Sequence, residues 1–102
     1  MDTYIQQKIE AIIETCKKHK VKSISLFGSA AKGTMNAQSD FDLLVEFSSD
    51  IEVLDYADNY FSLLEELEKI LARKVDLVSV TSLRNPVLIK EINRHKLELY
   101  AA

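Results

Sequence analysis

The sequence predicts a small α/β (α+β) domain, a mixed sheet of three or four strands with helices packed on it. Short runs of strand-forming residues alternate with longer runs whose apolar residues recur at helical spacing. Gly28, Asn85-Pro86 and polar clusters punctuate those runs. A length of 102 residues with 47% hydrophobic content supplies one compact core and leaves no room for a second.

The elements follow in order. Ile5, Ile9, Ile12, Ile13 and Cys16 share one helical face, so residues 3–19 read as an amphipathic helix. Lys17, Lys18, Lys20 and Lys22 gather at its end, where they complement the helix dipole. Val21 to Phe27 is a strand stopped by Gly28. Ser29-Ala30-Ala31-Lys32 makes a short helical turn ended by Gly33, and Thr34 to Ser39 is a loop. Phe41 to Phe47 is the second strand, with Phe41, Leu43, Val45 and Phe47 on one face and Asp40, Asp42 and Leu44 on the other. After a turn at Ser48-Ser49-Asp50, a long helix covers Asp55 to Ala72, with Tyr60, Leu63, Leu64, Leu67 and Leu71 as its apolar stripe. Val75 to Val80 is the third strand. Pro86 opens a last helix carrying Val87, Leu88, Ile89 and Ile92, and Leu97 to Tyr100 adds a final short strand. No repeat, low-complexity tract or linker interrupts the chain, so residues 1–102 read as a single domain.

Composition excludes several classes. A net charge of −3 with dispersed cations argues against a large nucleic-acid footprint. No apolar run approaches the roughly 20 residues that span a membrane, and the N-terminus lacks a signal peptide's basic and apolar regions, so a cytoplasmic protein is expected. The lone Cys16 excludes an intrachain disulfide and a cysteine-built zinc site, and its register makes it a core residue. His19 and His95 lie among lysines and arginines and read as solvated helix ends.

Chemistry concentrates in two places. Asp40 and Asp42, two apart on a strand, project from one face about 6.5–7 Å apart at their α-carbons. Without a shared cation they repel, and magnesium suits carboxylate oxygens completed by nucleotide phosphates. Standing alone, the pair fits a turn cap and an exposed sheet face better than a site, because such pairs are common by chance. Gly28-Ser29 places a glycine and a hydroxyl where a helix begins, a favourable setting for phosphate, though an ordinary strand-to-helix turn would use the same residues. Asp76 interrupts an otherwise apolar strand. If that strand neighbours the second one, its carboxylate reaches the same cation.

Gly28-Ser29, ten intervening residues and Asp40-Phe41-Asp42, with Asp76 on a later strand, resemble the signature of the DNA polymerase β-like nucleotidyltransferases. The fuller string from Leu26 to Gly33 and from Ser39 to Val45 is similar to their minimal nucleotidyltransferase (MNT) subgroup. The resemblance implies that Gly28 and Ser29, with Lys32 and Gly33, bind the nucleotide. It further implies that Asp40 and Asp42 hold two Mg2+ ions, and that Asp76 helps hold the catalytic one and favours deprotonation of the acceptor hydroxyl. Lys32 stands where the family usually has arginine, and lysine lacks the planar fork for bidentate contacts.

The expected partners are ATP or another nucleoside triphosphate and a helical HEPN-type toxin, since MNT proteins resemble the antitoxin half of such pairs. The expected activity is transfer of AMP to a hydroxyl, a tyrosine of the toxin. An antitoxin acting by contact alone and transfer to a small molecule are the alternatives. So small a body does not enclose both substrates, so the acceptor site is expected to be completed in trans by another copy or a second protein. Tyr4, Tyr56, Tyr60, Phe61 and Tyr100 exceed what a small core needs and suit such an interface.

Overall fold

Leucine, isoleucine and cysteine recurring every three or four residues drive the two long helices onto one face of a sheet. The computed structural model describes residues 3–28, 31 and 40–102. The elements are helix α1 (Thr3–Lys18), strands β1 (Val21–Phe27) and β2 (Phe41–Phe47), helix α2 (Val53–Leu71), strand β3 (Val75–Ser79), a 3-10 turn at Val80–Ser82, helix α3 (Pro86–His95) and strand β4 (Leu97–Ala101).

The strands form one sheet in the order β3-β2-β1-β4. β1 runs antiparallel to both β2 and β4, whereas β2 and β3 are parallel and joined through α2. A parallel pair needs such a crossover, and a long amphipathic helix supplies it. Ile24 and Leu26 from β1, Phe41, Leu43 and Val45 from β2, and Val75 and Leu77 from β3 meet Ile5, Ile12 and Cys16 of α1 and Leu63, Leu67 and Leu71 of α2. Cys16 is fully buried, and burial pushes its thiol up to about 12, as a core residue requires. The other sheet face holds Ser25 and Leu44, which with Ile92 of α3 and Lys96 line a cavity of about 160 Å³. Helices therefore lie on both faces.

Element ends depart from expectation by one or two residues, for local reasons. α2 begins at Val53, two residues before the expected Asp55, since Val53 and Leu54 are helical yet exposed and leave no mark on the apolar stripe. It ends at Leu71, with Ala72 left-handed at φ 52° as its cap. β3 stops at Ser79, where the Ser82 hydroxyl donates to the Ser79 carbonyl (2.7 Å) and Leu83 N–H closes the turn onto Val80 (3.2 Å). α3 starts as expected, with Asn85 Oδ1 accepting from Val87 N–H at 2.9 Å and Pro86 in the first turn.

His19 corrects the sequence reading. It is half-buried, with Nδ1 2.7 Å from the Thr15 carbonyl and Nε2 2.9 Å from the Ser62 hydroxyl, while Asn59 Nδ2 donates to the His19 carbonyl at 2.7 Å. It clamps the end of α1 to α2. His95 is a helix end facing solvent, paired with Glu91 at 3.4 Å.

The aromatic residues also divide. Tyr4 stacks on Phe41 (6.1 Å between centroids) and donates to the Leu71 carbonyl. Tyr60 and Tyr100 pack on the core, and Tyr56 meets Phe47 edge-on and bonds Ser79 (2.9 Å). Phe61 alone of the five is largely exposed. Among the described residues, no helix is long and apolar enough to cross a membrane.

Candidate active site

Three strand ends assemble the site. β1 ends at Phe27, whose register partner on β2 is Asp42, and Gly28 follows at once. Gly28 adopts φ +67°, and a Cβ there would collide with Asp42 Oδ2. Glycine thus serves twice, for a left-handed turn and for close approach to a carboxylate. The space a side chain would take at residue 28 is filled by the protein's own Asp42 carboxylate.

The β2–β3 register sets Asp42 directly beside Asp76. Neighbouring strands lie about 4.8 Å apart, so the two carboxylates rise from one row of the sheet face. Asp40 immediately precedes β2, held there by the Phe41 N–H donating to the Lys74 carbonyl at 3.1 Å. Asp40 and Asp76 are exposed and Asp42 is half-buried. Burial, then the Asp76 charge, then the Asp40 charge raise the Asp42 carboxyl above the usual carboxylate range. Burial and the Asp76 charge likewise raise the Tyr60 hydroxyl, which donates to the Leu77 carbonyl. Sequence reasoning placed Tyr60 in the helix stripe and among the interface aromatics, not at the site. Its hydroxyl beside Asp76 carried no signal in periodicity, which registers the ring and not the polar tip.

Of the expected site residues, the structure brings together Gly28, Asp40, Asp42 and Asp76. Ser29, Lys32 and Gly33 lie outside the described residues. Asp42 feels the charges of both Asp76 and Asp40, and carboxylates with no imidazole or thiolate among them are the donor type a hard cation prefers. Among the described residues no three His, Cys, Asp or Glu side chains stand close enough together to hold a metal ion as they are placed.

A glycine after the first strand, with carboxylates on the next two strands of a mixed sheet, defines the frame of a nucleotidyltransferase. The polymerase beta nucleotidyltransferase family matches residues 10–102, and the chain belongs to it. A Methanocaldococcus jannaschii protein bearing the name of a protein adenylyltransferase is 48% identical over 75 residues, which span 74% of this chain and 73% of that relative. A solved minimal nucleotidyltransferase superposes with a TM-score of 0.69 at 32% identity, covering 91% of this chain and 90% of its own. A toxin-antitoxin complex with AMP-PNP contains a chain that superposes with a TM-score of 0.70 at 26% identity, covering 92% and 73% respectively.

Proposed function

We propose that this chain is a cytoplasmic antitoxin that transfers AMP from ATP to a tyrosine hydroxyl of a helical HEPN-type toxin. The observation that carries this reading is the shared row of Asp42 and Asp76, with Gly28 pressed against Asp42. The resemblance to protein adenylyltransferases and to a toxin-antitoxin chain crystallised with a nucleotide supports it.

The roles follow from position. Gly28 leaves its backbone open to the β- and γ-phosphates, with Ser29, Lys32 and Gly33 next along the chain. Asp40, Asp42 and Asp76 would hold two Mg2+ ions, whose charge would offset that on the transferring phosphoryl group. Asp76, exposed on the edge strand, takes the proton of the acceptor hydroxyl. The acceptor oxygen forms a bond to the α-phosphorus as the bond to the departing pyrophosphate breaks. The proton passes from Asp76 to solvent.

α-labelled ATP with Mg2+ and the cognate HEPN protein tests the proposal. Label is expected on the HEPN protein, and Asp42→Ala and Asp76→Ala each abolish it. Absence of transfer, or transfer undiminished in Asp42→Ala, overturns it. Full neutralisation of the toxin in cells by the folded Asp40→Ala/Asp42→Ala variant would establish protection by contact alone.

A further inference from the structure

We propose that the exposed apolar strip of α2, centred on Leu54, Ala57 and Phe61, docks the helical partner that carries the acceptor, and that the partner meets it with an apolar face rimmed by Lys and Arg. The proposal rests on the adenylyltransferase reading above and names where its protein substrate sits.

Positions 54, 57 and 61 recur at helical spacing and share one face. Leu54 is 92% exposed, Phe61 63% and the neighbouring Val53 88%, on a helix whose opposite face is the core. Large apolar side chains grouped in this way mark contact sites rather than scattered surface residues. Beside the strip lies an apolar cleft of about 290 Å³ lined by Tyr56, Tyr60, Phe61, Leu77 and Ser79, open enough to receive a side chain.

Charge selects the occupant. Asp55, Asp58 and Glu65 flank the strip on the side away from the cleft, Glu52 precedes the helix, and all four are exposed. The only cation of α2, Lys69, is already 3.5 Å from Glu65 and 3.9 Å from Glu66. A two-fold contact between copies of this chain would press acidic rim on acidic rim, which opposes self-association. Anionic lipid is repelled for the same reason. A basic-rimmed partner is attracted.

The mode of contact is also constrained. β3 is a sheet edge, but side chains occupy backbone groups along it: Glu68 Oε2 accepts from Val75 N–H at 3.1 Å, Tyr60 donates to the Leu77 carbonyl, and Ser82 to the Ser79 carbonyl at 2.7 Å. These contacts oppose addition of a partner strand and leave side-chain docking on the helix. The floor of the cleft, Leu77, is the residue after Asp76, so a partner seated on the strip approaches the site across the β3 edge.

Phe61→Asp and Leu54→Asp test this in calorimetric titrations with the cognate HEPN protein. Each is expected to weaken binding about thirtyfold or more, as for an interface hot spot. Thermal melting and MgATP binding by the isolated chain stay unchanged. Asp55→Lys/Asp58→Lys weakens binding too and flattens its dependence on salt. Wild-type affinity in the variants overturns the proposal, as does self-association of this chain that Leu54→Asp abolishes. Wild-type protein that binds the partner without labelling it counts against the adenylyltransferase reading and leaves the docking surface standing.

Discussion

Gly28 occupies a position that no other residue fills without displacing Asp42. A side chain there meets a left-handed backbone, which costs about 1–3 kcal/mol, and then collides with the carboxylate. Gly28→Ala is therefore expected to lower the urea midpoint and to abolish AMP transfer. Adding Asp42→Ala to it recovers part of the lost stability, because the two residues are in contact and their effects do not add. Asp42 itself works against the fold when ionised. Its folded carboxyl lies above the usual range, so the folded chain binds more protons than the unfolded one across that window. The cost is absent below the unfolded carboxylate range and fully present above the raised folded value. Asp42→Asn should thus melt above wild type at neutral pH without nucleotide, and the gap should close as pH falls. A lower melting temperature for Asp42→Asn at neutral pH contradicts this.

The secondary-structure elements were legible where their apolar periodicity was strong. The α1 register of Ile5, Ile12 and Cys16 and the α2 register of Leu63, Leu67 and Leu71 were readable because those side chains are the core. Contacts between polar tips were not readable. His19 looked like a solvated helix end because its neighbours are lysines, yet its ring spans from the Thr15 carbonyl to the Ser62 hydroxyl. His19→Ala removes the bond to Ser62 and the ring's hold on Thr15, and is expected to cost about 1 kcal/mol, read from denaturant unfolding. An unchanged midpoint would show that the α1–α2 clamp rests on leucine packing alone. The same blindness applies to Tyr60 and Tyr56, whose hydroxyls bind β3 while their rings satisfy the apolar pattern.

Over the complete chain, strand order decides what the site contains. β2 is central to the argument because it touches both β1, which ends at Gly28, and β3, which carries Asp76. The parallel β2–α2–β3 crossover aligns residue 42 with residue 76. Had β3 joined the sheet beside β4, Asp76 would stand two strands farther away and the cluster would not exist. The arrangement also places the acidic site at one end of the sheet face and the exposed strip of α2 along the β3 edge, so the proposed nucleotide site and the proposed docking strip have separate approaches. The AMP-transfer and docking experiments address these two approaches independently.

The sequence by itself determined the element order, the core-facing side chains and the glycine and aspartates proposed to carry the chemistry, because local spacing dictates which face a residue takes. It also sufficed for the nucleotidyltransferase resemblance, since that signature is a matter of residue types at intervals. Tertiary structure decided the rest. The pairing of Asp42 with Asp76, the pressing of Gly28 onto Asp42 Oδ2, the clamp at His19 and the acidic rim around Leu54 and Phe61 join residues distant in the chain, or depend on which helix face the core leaves exposed. Such relations arise only when the sheet selects its strand order and register, a choice made by long-range burial that no local window contains.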